Sequence, residues 1–190
     1  MVKLIKSKNK LIRRLSQTSN YLKARVLVLN NNSIDVIEPG SLAKLSHLEE
    51  LDLSFNHLKG QVTFAGLTRL KSLKAFNNSI GSLDKSSFSG LVCLQELQLH
   101  GNMIGAIGPL TFADLHELKL LSLSKNELVE IDADCFKGLA SLEELLLDYN
   151  KLSGINPATF QGLSKLKRLN LNNNQIGSVD PATFNGLATL

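Results

Sequence analysis

Residues 48–58 read Leu-Glu-Glu-Leu-Asp-Leu-Ser-Phe-Asn-His-Leu, and residues 142–152 read Leu-Glu-Glu-Leu-Leu-Leu-Asp-Tyr-Asn-Lys-Leu. Both follow one phrase, Leu-x-x-Leu-x-Leu-x-x-Asn-x-Leu, whose asparagine returns along the chain at intervals of 24, 22, 24, 24, 24 and 24 residues. A fixed period of this length is typical of an architecture in which similar units stack on one another. We call these residues the ladder asparagines: Asn32, Asn56, Asn78, Asn102, Asn126, Asn150 and Asn174.

Each phrase predicts a short strand, because apolar and outward-facing residues alternate over the last three positions of its Leu-x-x-Leu-x-Leu part. An equivalent strand follows one period later and runs the same way, so the residues between them must form a crossover. That return segment carries a phenylalanine, as at Phe136 and Phe160, and is broken by glycine and proline. Such breakers favour short helical or irregular turns. The sequence therefore predicts an α/β repeat solenoid of about seven repeats.

The ladder asparagines are predicted to have a structural role. Each one follows its strand at a bend, where backbone groups lose their partners in the sheet. A buried side-chain amide both donates and accepts hydrogen bonds, so it can satisfy such groups in neighbouring turns.

The pattern resembles the leucine-rich repeat family, and in particular its 24-residue class with phenylalanine in the return segment, as in Ile155, Phe160 and Leu163. The resemblance covers roughly residues 24–190. In that family the repeats form a horseshoe with the parallel sheet on its concave side. The repeats look like those of Toll-like receptors, small leucine-rich proteoglycans and variable lymphocyte receptors, which implies binding to proteins or other large ligands.

A basic N-terminal arm precedes the array. Residues 1–34 carry eight lysines and arginines and no acid, whereas the rest of the chain carries 13 basic and 17 acidic residues. These balances of +8 and −4 give the net charge of +4. We therefore divide the chain into residues 1–23, a basic arm or cap, and residues 24–190, the repeat array. The arm is either a solvated end-cap or a contact for membrane or nucleic acid.

The second interval between ladder asparagines, from Asn56 to Asn78, is two residues short. Its phenylalanine, Phe64, comes eight residues after the asparagine instead of ten, and Ala75 stands where the next strand expects leucine. This irregularity predicts either a local repacking of the core or a shaped ligand site.

The sequence carries no pattern for catalysis. The four histidines fall in different phases of the repeat, no glycine-rich phosphate loop follows a strand, and the repeat places no Ser/His/Asp set together. Asp132 and Asp134 share a return loop and are interpreted as solvated acids. We therefore expect no enzyme, no catalytic or metal-binding residues, no cofactor and no small-molecule substrate.

Exposed positions of the strands carry the candidate binding residues. The position after the first leucine of each phrase alternates in charge, which predicts lateral ion pairs rather than a nucleic-acid groove. Positions near the end of each phrase instead carry aromatic and charged side chains, which are typical of interface anchors. For Phe76 an inward position over Ala75 is the alternative. The protein-binding candidates are Phe55, Phe76, His100, Lys125, Leu146, Asp148 and Tyr149.

We expect a non-enzymatic recognition module that binds a protein ligand through its concave face, in a receptor-like role such as immune recognition or adhesion. The alternative is an intracellular scaffold or bacterial effector module whose basic arm contacts membrane or nucleic acid. Nucleic acid is the less favoured partner, and membrane contact is left open.

The sequence leaves the localisation open. The repeat class is typical of extracellular proteins, but the chain shows neither a signal peptide nor the cysteine-rich caps of such proteins. Asn31 and Asn77 lie in Asn-x-Ser sequons, which would carry glycans only in a secreted protein. The array stops at Leu190 on an open layer, which predicts a missing cap, a fragment or a homodimer formed through that end.

Overall fold

The computed structural model describes residues 21–190 and, within the arm, the backbone of residues 4–6 and 14–15. Eight strands of three residues each form one parallel sheet. In sheet order they are β1 (Leu4–Lys6), β3 (Val26–Val28), β5 (Glu50–Asp52), β7 (Ser72–Lys74), β9 (Glu96–Gln98), β11 (Leu120–Ser122), β12 (Glu144–Leu146) and β13 (Arg168–Asn170).

Neighbouring strands pair at the same phase of the repeat. Leu51 of β5 lies opposite Leu27 on one side and Leu73 on the other. The central leucine is buried, whereas the residues on either side of it face outward from the sheet. This is the alternation expected of a strand with one buried face.

The sheet begins within the residues that we assigned to the arm. The backbone of β1 pairs with β3, and β2 (Arg14–Leu15) pairs with β4 (Val36–Ile37), both in parallel. The side chains of residues 1–20, which include all the basic residues of the arm except Lys23, lie outside the described residues. The division of the chain at residue 23 therefore stays a prediction.

A second parallel sheet lies on the return side of the short repeat. It contains β6 (Lys59–Gln61), β8 (Ser79–Leu83) and β10 (Ala106–Ile107), in the order β10-β8-β6. Its register shifts by one residue between Gly60 and Gln61, so a bulge takes up part of the irregular spacing locally. Apart from these strands and the pair of β2 and β4, the described return side consists of turns, irregular segments and a 3-10 helix, Pro181–Phe184. No helix among the described residues is long and apolar enough to cross a membrane.

One hydrophobic core runs between the two sides of the array. On the return side, the rings of Phe64, Phe88, Phe112, Phe136 and Phe160 stack with centroids 5.7–6.2 Å apart. Neighbouring strands of a sheet lie only about 4.8 Å apart. Because the layers are spaced more widely on the phenylalanine side, the array curves with the sheet on its concave side. The predicted repeat solenoid with short, irregular return segments is confirmed.

Candidate functional site

The ladder asparagines turn inward and join consecutive layers. The amide nitrogen of Asn102 donates to the carbonyl of Leu99 in its own layer and to that of Ala75 in the preceding layer, at 2.9 and 3.0 Å. Its Oδ1 accepts a hydrogen bond from the backbone N–H of Ile80 at 3.0 Å. The same three bonds recur at Asn56, Asn78, Asn126, Asn150 and Asn174.

The residue before each ladder asparagine has a left-handed backbone, with φ between 53° and 67°. Its own N–H still reaches the next layer: that of Phe55 donates to the carbonyl of Phe76 at 3.0 Å, and that of Lys125 donates to Asp148 at 2.8 Å. The bend therefore turns the asparagine inward without breaking the lateral hydrogen bonds. The seven residues in this position are Asn31, Phe55, Asn77, Gly101, Lys125, Tyr149 and Asn173.

Aromatic side chains from three consecutive layers contact one another along this edge of the sheet. The ring of Phe55 meets that of Phe76 edge to face at 5.3 Å, and Phe76 stacks on the imidazole of His100 at 4.4 Å. Phe76 thus faces outward, while Ala75 lies in the core. The inward alternative for Phe76 is wrong.

Polar and charged side chains continue the edge through the next two layers. The hydroxyl of Ser124 donates to Oδ1 of Asp148 at 2.6 Å, and the ammonium of Lys125 lies 5.7 Å from the ring centroid of Tyr149. Leu146, on β12, is half-buried on the same face of the sheet. We call the six residues at the ends of these phrases the edge strip: Phe55, Phe76, His100, Lys125, Asp148 and Tyr149.

His100 lies at the centre of the edge strip. Burial lowers the pKa of its imidazole, the charge of Lys125 lowers this pKa further, and Asp148 opposes both effects. The ring is therefore neutral near pH 7. The hydroxyl of Ser122 lies 3.4 Å from Nδ1 of this histidine.

Serine, histidine and aspartate side chains lie near one another here, as two separate pairs: Ser122 beside His100, and Ser124 beside Asp148. The aspartate does not complete a catalytic arrangement, however. Asp148 accepts its hydrogen bond from Ser124, whereas the hydroxyl beside His100 belongs to Ser122. In nucleophilic catalysis one histidine contacts both the serine hydroxyl and the aspartate. Here His100 lies beside Ser122, while Asp148 is bonded to a different serine.

The predicted lateral ion pairs form outside the edge strip, at the position after the first leucine of the phrase. Glu49 bridges Arg25 and Lys71 in the two adjacent layers, at 2.5 and 3.4 Å, and Lys167 pairs with Glu143 at 2.7 Å. The hydrogen bond from Arg25 lowers the pKa of Glu49. Both carboxylates of this column are therefore paired, but its four basic residues leave the column with a net charge of +2.

The floor of the sheet beside the aromatic side chains is acidic. Glu50, Asp52 and Glu96 face outward there with a single ammonium, that of Lys74. Glu50, Asp52 and Lys74 help to line a shallow depression on this floor. Glu96 accepts a hydrogen bond from the hydroxyl of Ser72 at 2.9 Å.

Neither cysteine takes part in this site. Both Cys93 and Cys135 have free thiols, and burial raises the pKa of Cys135, whose side chain belongs to the core. Across the part of the chain that the structure describes, no three or more His, Cys, Asp or Glu side chains are grouped so that they could hold a metal ion.

A stacked parallel sheet, a column of phenylalanines and a ladder of asparagines together define a leucine-rich type of repeat solenoid. A family model described as leucine rich repeat matches residues 7–58, 59–104, 94–152 and 141–190. The chain therefore belongs to the leucine-rich repeat family.

Known proteins similar to this chain come from different settings. The U2 small nuclear ribonucleoprotein A' of Homo sapiens is 33% identical over 107 residues, which are 56% of this chain and 42% of that protein. The structure superposes on TLR13, in a crystal structure of a TLR13–ssRNA13 complex, with a TM-score of 0.89 at 30% identity. That match covers 96% of this chain but only 26% of the other.

A third similarity is to a chain in the octameric complex of Latrophilin 3, Unc5D and the LRR region of FLRT2. Its TM-score is 0.80 at 31% identity, over 89% of this chain and 52% of the other. The chain thus spans about half or less of each of these proteins.

Proposed function

We propose that the chain is a protein-recognition module that binds a protein ligand through its concave sheet and the edge strip. The observation that carries this proposal is the contact series from Phe55 through Phe76 to His100, which leaves Phe55 47% exposed. Exposed aromatic residues in mutual contact, flanked by charged ones, have the composition of interface hot spots. Their spacing across successive layers suits a ligand that crosses the strands.

The charges near the aromatic side chains indicate the chemistry of the ligand. Three carboxylates and one ammonium leave the floor beside Phe55 and Phe76 with a net negative charge. An arginine satisfies both parts of this surface, because its guanidinium stacks on aromatic rings and pairs with carboxylates. We propose that the ligand presents an arginine to this region, with the guanidinium against Phe55 and near Asp52.

Two of the similar structures support a receptor-like role. TLR13 and FLRT2 are both seen there in complexes with other molecules, and FLRT2 in an assembly with other proteins. We propose a role in immune recognition or adhesion on this basis. A non-enzymatic function agrees with the hydrogen bonds of Ser122 and Ser124, which do not form a catalytic relay.

Nucleic acid is a second candidate ligand, and two of the similar proteins give a reason to consider it. One similar protein belongs to a ribonucleoprotein and another is seen with a single-stranded RNA. The charge of the described face favours a protein instead, because nucleic-acid sites need a basic stripe. In the edge strip Lys125 is accompanied by Asp148, and the neighbouring floor is acidic. A membrane or nucleic-acid contact of the basic arm stays a proposal, because apart from Lys23 the basic side chains of the arm lie outside the described residues.

The test compares partner capture by the wild-type protein and by the Phe55→Ala/Phe76→Ala/Tyr149→Ala variant, with capture identified by mass spectrometry. A matched control is Val92→Ala/Met103→Ala/Val129→Ala, which removes three exposed apolar side chains outside the strands. We expect the first variant to lose a protein that the control retains, with or without ribonuclease. Equal capture by the two variants would contradict the proposal, and capture abolished by ribonuclease would assign RNA as the ligand.

A further inference from the structure

We infer that the left-handed position before the ladder asparagine determines the ligand specificity of this chain, through Phe55, Lys125 and Tyr149. This inference rests on the proposed function, and it identifies which residues of the edge strip serve binding rather than folding. The evidence is the backbone that these residues adopt and the exposure of their side chains.

The left-handed conformation is set by the repeat and not by the residue that occupies it. All seven layers share a φ between 53° and 67° at this position. Glycine adopts this conformation without strain and asparagine adopts it readily, whereas other side chains crowd the backbone. Four layers carry such a residue, namely Asn31, Asn77, Gly101 and Asn173. The other three layers depart from the residue type that folding favours.

Burial does not compensate for the strain at these three positions. Phe55 is 47% exposed and Tyr149 is 53% exposed, and Lys125 is exposed as well. Their contacts within the chain are one edge-to-face ring pair and one cation over a ring, both at the surface. Strained residues that contribute little to the core are characteristic of functional sites. These three side chains offer a ligand groups that asparagine lacks. They are the apolar ring of phenylalanine, the phenol of tyrosine and the positive charge of lysine.

Along the column of left-handed positions, Gly101 lies between two regions that could contact a ligand, one at Phe55 and one at Lys125 and Tyr149. A Cβ at Gly101 would lie 2.2 Å from Oδ1 of Asn77, so the amide of the preceding layer occupies the space of a side chain. The layer of Gly101, which presents no side chain of its own at this position, lies between Phe55 and Lys125. These two residues lie three layers and therefore roughly 14 Å apart at normal strand spacing. An extended segment of about four residues spans this distance. The ligand is thus an extended protein segment, with arginine at Phe55 and a carboxylate at Lys125.

The first step of the test measures strain without a ligand. Phe55, Lys125 and Tyr149 are each replaced by Gly and by Ala, and both melting temperatures are compared. The Gly and Ala variants of one site lose the same side-chain contacts. The difference between their melting temperatures therefore measures the strain of the left-handed backbone. We expect Gly to melt about 2 °C above Ala at each site. At Phe76 and Asp148, which have no left-handed backbone, Ala should melt above Gly, because glycine loses more backbone entropy on folding. The same order at all five sites would overturn the inference.

The second step measures binding with random dodecapeptides displayed on phage and selected on the wild-type protein. We expect the enriched peptides to carry arginine, and their binding to fall at least tenfold in Phe55→Gly and Lys125→Gly. Tyr149→Gly should weaken them by a similar factor. If Phe76→Ala weakens these peptides while the three glycine variants do not, the inference fails and the proposed function stands. If no edge-strip variant alters binding, or no peptide is enriched, the proposed function itself fails.

Discussion

The imidazole of His100 stacks on the ring of Phe76, with centroids 4.4 Å apart and planes 12° from parallel. Stacking removes one face of the imidazole from water. Burial in this position is the main reason that the pKa of His100 is lowered, with Lys125 as the second cause. The aromatic part of the edge strip therefore presents an uncharged surface at neutral pH, and acid should disturb it.

We predict that the free energy of unfolding falls as the pH drops below about 6.5, the ordinary pKa of histidine. The unfolded chain then binds a proton that the folded chain, with its lowered pKa at His100, still excludes. The loss is complete once the pH is below the folded pKa. Urea unfolding between pH 7.5 and 5.5 measures this dependence. His100→Gln should abolish most of it and the exposed His47→Gln should not, so an unchanged slope in His100→Gln would refute the explanation.

Asn102→Ala should destabilise the protein strongly. It leaves the carbonyls of Leu99 and Ala75 and the N–H of Ile80 without their partner in the core. Each buried group left unsatisfied costs about 1–3 kcal/mol, so we expect a total of about 3 kcal/mol or more. Urea unfolding measures the loss. Asn172→Ala, at an exposed position outside the ladder, is the control and should change stability by less than about 0.5 kcal/mol.

The phenylalanine column should be most sensitive in its middle. Phe112 is fully buried between the rings of Phe88 and Phe136, so Phe112→Ala should cost about 3–5 kcal/mol. Phe184 occupies the same phase of the last repeat but is 40% exposed, and Phe184→Ala should cost clearly less. Thermal unfolding of both variants makes the comparison. Equal losses would mean that the column does not act as a shared core.

Leu110 provides a test of backbone strain away from the proposed binding face. It has a φ of 57°, follows Pro109 and is 42% exposed, whereas Gly40 takes the same phase in the first repeat after Pro39. We predict that Leu110→Gly is more stable than Leu110→Ala by about 1 kcal/mol. At the exposed Met103, whose φ is not positive, the order of Gly and Ala should reverse. Urea unfolding of the four variants decides between these outcomes.

The repeat phases made much of the fold predictable. The spacing of asparagine and leucine predicts each strand and its buried centre, as at Leu51 and Asn56. In this repeat leucine fills the core and asparagine bonds to the backbone at the bend, so each residue type marks one position. The return-side strand Ser79–Leu83 was not predicted, since its segment shows no clear alternation. The bulge at Gly60 depends on how two layers of unequal length pair, which one sequence does not show.

The site was predictable in composition but not in geometry. The sequence places Phe55 and Tyr149 before a ladder asparagine, and the structure gives both a left-handed backbone that their residue types would argue against. Asparagine and glycine favour the left-handed conformation, so Asn31 and Gly101 at the same position of the repeat could have revealed this backbone from the sequence. The bond from Ser124 to Asp148 joins two layers and depends on side-chain rotamers, so no local pattern indicates it.

The central claim, that a protein ligand lies on the edge strip, is tested most directly by site-specific photo-crosslinking. Phe55→p-benzoylphenylalanine places the reactive group on the strip, and Val92→p-benzoylphenylalanine places it at a comparably exposed apolar position outside the strands. After irradiation in the native source, we predict that a discrete protein adduct forms from position 55 and not from position 92. Adducts of the same protein from position 92 alone, or none from position 55, would contradict the account.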